Sequence, residues 1–195
     1  MWLLLSGLVA QAQSAGKPKP LWQQMADSFM RQYPDSLGLE KNKVARWGYK
    51  QGLMLKALER VGERAGDPRY MDYIVRTIDY SIAPDGTIAR YNFDDFNLDN
   101  INTGRILLML MQQPNLPAPR REAYRKAAQR LHQQLDEQPR TKEGGYWHKK
   151  RYTHQMWLDG LYMAEPFYAE YSKLFNQPAG FDDVAKQFAL IEKNL

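Results

Sequence analysis

The sequence predicts an all-α protein built from helical hairpins, and three observations predict it. Apolar residues recur at three- and four-residue spacing almost throughout the chain from Leu21 onward, the period of one helix face. Clusters of Gly, Pro and Asp cut that pattern into pieces of helical length. Helix pairs return every forty-odd residues, as in a solenoid or toroid, although no repeat is visible in the letters themselves. Only Thr87-Ile-Ala-Arg-Tyr91, following the Asp85-Gly86 turn, reads as a strand.

Taken in order, residues 1–20 read as a signal peptide and flexible N-terminus. Trp2 to Ala10 is a short apolar stretch, and Ala10-Gln-Ala12 follows as a cleavage site of small residues, so export to a periplasm or the outside is expected. Nothing basic precedes the apolar stretch, which is also too short for the ~20 residues that span a bilayer. Trp22, Met25, Ala26 and Phe29 stripe a first helix that Pro34 stops. Trp47, Leu53, Leu55 and Leu58 mark a second, ending near Gly66-Asp-Pro68. Tyr70, Tyr73, Ile74, Thr77 and Ile78 mark a third, closed by Ala83-Pro-Asp-Gly86. Ile101, Leu108 and Met111 define a fourth, and Tyr124, Ala127, Ala128, Leu131 and Leu135 a fifth that Pro139 ends. A long loop from Gln138 to Thr153 precedes a sixth helix from about Gln155 to Phe175, and a seventh starts near Phe181.

Composition narrows the chemistry. With 44% hydrophobic and 25% charged residues the 195-residue chain is globular, with one domain expected over 21–195. The absence of cysteine excludes disulfides, thiolate metal sites and thiol nucleophiles. His148 and His154 are six apart, a spacing that suits no zinc pair, and no Gly-rich phosphate loop or nucleophile elbow occurs. The net charge of +5 is mild and spread out; on charge alone it suits nucleic acid or an acidic sugar equally. The 5 Trp, 12 Tyr and 7 Phe exceed what a small core requires and also suit a sugar cleft.

Two carboxylates stand out. Asp99 lies in Asn97-Leu-Asp-Asn-Ile-Asn-Thr-Gly-Arg105, where a helix should begin; an N-cap explains one such residue, but not the cluster of Asp99, Asn100, Asn102 and Thr103. Asp159 falls in the first turn of the sixth helix among Met156, Trp157, Tyr162 and Met163. Interaction with the helix dipole would account for it. A carboxyl held among such groups would alternatively be desolvated and kept protonated as an acid. The basic loop Arg140, Lys142, His148, Lys149, Lys150 and Arg151 reads as a solvated surface or as an attractor for a carboxylate-bearing substrate.

At these residues the sequence resembles glycoside hydrolase family 105, the unsaturated rhamnogalacturonyl hydrolases, and more distantly the unsaturated glucuronyl hydrolases of family 88. The matching segments are Trp47-Gly-Tyr-Lys-Gln-Gly-Leu53, Asp85-Gly86, Asn97 to Arg105, Pro139-Arg-Thr-Lys-Glu-Gly-Gly-Tyr-Trp-His148 and Gln155-Met-Trp-Leu-Asp-Gly-Leu-Tyr-Met163. The resemblance implies a six-hairpin α/α toroid. Such a ring needs roughly 250–350 residues, so this chain is expected to hold an incomplete one. It also implies a substrate ending in a 4,5-unsaturated uronic acid, with Asp159 as general acid and base and Asp99 as the second essential carboxylate. His148, Trp157, Trp47, Asn102 and Arg105 are implied in the cleft. No metal, organic cofactor, nucleic acid or membrane partner is expected. Two alternatives accompany this reading: a glucuronyl hydrolase acting on glycosaminoglycan fragments, and an inactive sugar-binding fragment.

Overall fold

A computed structural model describes residues 18–36 and 47–194, so the reading of a leader and cleavage site falls outside the described residues. Seven α-helices follow one another: α1 (Leu21–Gln32), α2 (Tyr49–Ala65), α3 (Arg69–Asp79), α4 (Gly104–Met111), α5 (Ala118–Glu137), α6 (Leu158–Leu174) and α7 (Ala179–Asn194). Two short 3-10 turns, Phe93–Asp95 and Leu98–Asn100, lie between α3 and α4. Among the described residues there is no strand. The segment 87–91 makes only an isolated bridge between Ile82 and Ile88, and the chain turns away at Arg90, whose φ is 57°.

The local chemistry explains the boundaries. Pro34 lies just beyond α1, and Gly66 ends α2 in the left-handed region at φ 61°, where a side chain would be strained. Pro119 sits in the first turn of α5, where a missing N–H costs nothing. All five apolar positions expected to face inward on α3 and on α5 are buried. Other expectations shift. Met25 and Leu53 are exposed, so the inward stripes of α1 and α2 are narrower than their apolar letters suggest. Ile101 is buried in the turn before α4 rather than within it, and α6 begins at Leu158, not Gln155.

Connections alternate in length. Residues 33–48, 80–103 and 138–157 lead into α2, α4 and α6, whereas 66–68, 112–117 and 175–178 lead out of them. The turn that opens α4 touches the N-terminal ends of both α2 and α6, and further along all three helices line a groove with Lys56, Glu59, Met109 and Glu170. These three helices therefore run parallel as one layer, with α3, α5 and α7 returning behind them. The core centres on α4, whose Ile106, Leu107, Leu108 and Leu110 are buried; each such side chain contributes about 1.5–3 kcal/mol on leaving water.

One proline fixes the offset between two of these helices. Pro166 lies inside α6 and has no N–H to give to the carbonyl four residues earlier, that of Tyr162. The Asn102 amide takes the vacant place, donating from Nδ2 to Tyr162 O at 3.1 Å. A helix defect in α6 thus becomes the docking point for the turn that opens α4.

Candidate active site

The three parallel helices come together through small residues. Gly48 precedes α2, and its carbonyl accepts a 2.8 Å hydrogen bond from Thr103 Oγ1. A Cβ on Gly52 would lie 2.6 Å from Asn102 Oδ1 and 2.8 Å from Thr103 Cα, so only glycine admits this approach. Trp47 Nε1 donates to the Asn100 carbonyl at 2.7 Å. These contacts revise two expectations. Trp47 and Asn102 are buried struts that hold the 97–104 turn in place, and neither presents a surface to a ligand.

That turn exists to aim Asp99. The capping role falls to Asn97, whose side-chain oxygen accepts the Asp99 N–H at 3.1 Å and leaves the Asp99 carboxylate free. The carboxylate is instead held from the long loop: His148 Nε2 lies 3.1 Å from Oδ1, and Lys149 Nζ donates to Oδ2 at 2.6 Å. Burial pushes the Asp99 carboxyl up, but the bonds from His148 and Lys149 outweigh it and hold the group below its ordinary range. His148 is itself fixed at both main-chain ends, donating from N to Gln155 O at 2.8 Å and accepting Leu98 N–H at 3.1 Å. Its ring stacks on Trp157 at 4.4 Å, with Tyr152 stacked on the same indole at 4.8 Å.

Asp159 stands in the first turn of α6, as its spacing implies, but the expected apolar seat is absent. It is exposed, as are Trp157 and Tyr162, while Met163 turns into the core. Asp159 shares a face with buried Met163, but it lies in the first turn of α6, at the open end of the helix, where the inward contacts of Gly160, Met163, Ala164 and Phe167 do not cover it. Gly160 ties it to the rest of the cluster, since a Cβ there would lie 3.2 Å from His148 Nδ1. Asp159 is thus one residue from a glycine pressed against the imidazole that holds Asp99. Arg105, expected in the cleft, pairs with a carboxylate of α6. Its guanidinium binds Glu170 Oε1 at 2.9–3.0 Å, eleven residues along α6 from Asp159, which is ~16 Å of helix rise. It braces α4 against α6 rather than joining Asp99.

Sequence reasoning missed three features. Lys149, read as part of a solvated basic loop or an attractor for a carboxylate-bearing substrate, is a direct partner of Asp99; its adjacency to His148 was the available signal. Tyr152 joins the ring stack. Glu165, a lone carboxyl between Ala164 and Pro166, is buried with Oε2 unpartnered; burial, and then the charge of Asp183, push it up to about 8 against the pull of Arg140. Among the described residues no group of three His, Asp or Glu side chains could hold a metal ion, and no helix is long and apolar enough to cross a membrane.

Asp99, His148 and Lys149 form one hydrogen-bonded cluster beside the turn that opens α4, and Asp159 adds an exposed carboxyl in the first turn of α6. Solved structures share the fold. A glycoside hydrolase of family 105 from C. acetobutylicum ATCC 824 is 41% identical over 91% of this chain, with a TM-score of 0.80, and 46% of that chain is covered. A possible member of family 105 from Klebsiella pneumoniae subsp. pneumoniae MGH 78578 shares the fold at 21% identity and a TM-score of 0.68, with 99% of this chain and 54% of that one covered. The chain spans about half the length of these relatives. The family model of Glycosyl Hydrolase Family 88 matches residues 21–195, and the chain belongs to that family.

Proposed function

We propose that this end of the helical layer takes the 4,5-unsaturated uronic acid that terminates a lyase-generated rhamnogalacturonan oligosaccharide, and that Asp159 starts its release by hydrating the ring. The observation that carries the reading is the Asp99–His148–Lys149 cluster set against the first turn of α6, one residue from Asp159. The C4=C5 bond of such a sugar is joined to the ring oxygen as a vinyl ether, which accepts a proton at C4. Asp159 gives that proton, leaving positive charge shared by C5 and the ring oxygen. Water then adds at C5 and returns a proton to Asp159. The resulting hemiketal opens by breaking the bond from C5 to the ring oxygen, and the hemiacetal left at C1 expels the aglycone as an alcohol. One water is consumed, and no group attacks the anomeric carbon, unlike ordinary glycoside hydrolysis.

The remaining residues have supporting parts in this scheme. Asp99 accepts hydrogen bonds from the uronate hydroxyls, kept ionised by His148 and Lys149. Lys149 and the helix N-termini favour the uronate carboxylate. The exposure of Asp159 gives the attacking water direct access, and the sugar ring itself excludes bulk solvent once bound.

The test mixes the protein with an unsaturated rhamnogalacturonan disaccharide and follows the absorbance of the conjugated vinyl ether. Loss of the band, abolished in Asp159→Asn, is expected. An unchanged band with the native protein, or undiminished loss with Asp159→Asn, rejects the scheme. An amino-sugar-linked disaccharide turned over faster than the rhamnose-linked one would move the assignment to glycosaminoglycan fragments.

A further inference from the structure

The loop that supplies His148 and Lys149 is tied to α7 through a group of polar side chains that the proposed reaction does not use. Asp183, in the second turn of α7, accepts two bonds from Arg140, at 2.8 Å to Oδ1 and 2.6 Å to Oδ2. The Tyr146 hydroxyl donates to Asp183 Oδ2 at 2.9 Å, and the Arg140 guanidinium also lies over the Tyr146 ring at 4.2 Å. One turn further along α7, Gln187 is buried and completes the set. Its Oε1 accepts the Tyr146 N–H at 2.9 Å, while Nε2 donates to Gly144 O and Asp183 Oδ1, each at 3.1 Å.

Such a group is a poor way to gain stability, since even a half-buried ion pair gives back much of its attraction in lost hydration. What it supplies is direction. Apolar contact would let the loop slide, whereas these bonds fix the ring, the hydroxyl and the main chain of Tyr146 at once. Only Trp147 separates Tyr146 from His148. Trp147 is in turn locked, donating from N to Pro139 O at 2.8 Å, while its carbonyl accepts Gln138 Nε2 at 2.7 Å.

We infer that Asp183, acting with Arg140, Tyr146 and Gln187, is a positioning residue that sets where His148 and Lys149 meet Asp99. The helix α7 then serves the site without contributing a group to it. Only the kinetic part of the test rests on the function proposed above; the spectroscopic part does not.

The principal variant is Asp183→Asn, which keeps shape and removes the charge. The control is Lys193→Ala, which breaks an exposed pair between the same loop and helix, Lys193 to Glu143 at 2.9 Å. The chain has three histidines, so the imidazole resonances of His148 can be followed beside those of His132 and His154. In Asp183→Asn the His148 ring signals, displaced by stacking on Trp157, should move toward free-histidine positions while those of His132 stay. With the unsaturated disaccharide, kcat/KM should fall roughly tenfold or more through both a raised KM and a lowered kcat, since small misplacements are costly. A smaller folded fraction alone would lower kcat and leave KM unchanged. Lys193→Ala should stay within about twofold of the native protein, as exposed pairs contribute little. Should Asp183→Asn unfold, Tyr146→Phe removes one hydroxyl from the group and should give the same changes in smaller measure. A folded variant with native His148 signals, or with KM unchanged, overturns the inference. Displaced His148 signals in a protein whose native form leaves the disaccharide intact uphold the positioning role and reject the function.

Discussion

Replacing Glu165 by glutamine should change how stability depends on pH, by an amount the structure sets. The carboxyl is 2% exposed on α6, with one oxygen lacking a partner, and burial together with the charge of Asp183 pushes it up to about 8 from an ordinary 4.5. In the unfolded chain the proton is lost near the ordinary value; in the folded chain it is kept to the higher one. Between those values the folded state binds more protons, so stability falls as pH rises through the window. Each unit corresponds to about 1.4 kcal/mol, so the native protein should lose at most about 4 kcal/mol between pH 5 and 8 on this account. Glu165→Gln has no proton to lose and escapes that decline. Urea melts of both proteins at pH 5, 6, 7 and 8 give the difference directly, and the variant's advantage should grow by about 1 kcal/mol per unit before levelling above pH 8. Parallel stability curves would refute the reasoning, because they would mean that Glu165 is already ionised in the folded protein.

The other predictions concern the contacts between helices and the setting of Asp99. Gly52→Ala should destabilise by about 1–3 kcal/mol in thermal melts, because its Cβ meets the Thr103 main chain at 2.8 Å. Asn102→Ala should cost about 1–3 kcal/mol by leaving Tyr162 O unpaired, and little in a Pro166→Ala background whose N–H satisfies that carbonyl, so a double-mutant cycle should report a clear coupling. Trp47→Phe should cost about 1–2 kcal/mol, the value of the bond to Asn100 O plus an unfilled volume. In Lys149→Met the Asp99 carboxyl should titrate higher than in the native protein when followed by carbon NMR. Because that carboxyl is held below its ordinary value, its stabilising contribution is present above about pH 4 and is lost as the solution is acidified.

The helices were legible in the letters because their inward faces are periodic: every marked residue of α3 and α5 is buried. Their starts were less so. The residues 155–157 have the apolar letters of a helix, yet the Gln155 carbonyl is taken by the His148 N–H, which holds this stretch extended against the loop. At the candidate site, spacing could single out Asp99 and Asp159 but not say which neighbours serve them. Asn102 and Trp47 have the chemistry of ligand-binding residues, and only long-range contacts, to Tyr162 and Asn100, reveal them as struts. Lys149 is the converse case, a surface-type residue recruited by a carboxylate fifty positions away in sequence. The apolar letters around Asp159 misled because Trp157 and Tyr162 are themselves exposed and the first turn of α6 is left uncovered.

The alternation of connections divides the molecule into an end that can be reworked and an end that can be decorated. Segments 80–103 and 138–157 hold Asp99, His148 and Lys149, so altering them changes the candidate site. Segments 66–68, 112–117 and 175–178 emerge at the opposite pole, remote from Asp99 and Asp159. An affinity tag, fluorophore or tethering sequence grafted into 112–117 would leave the end that holds Asp99 and Asp159 untouched, giving a handle for immobilising the protein with that end open to solution.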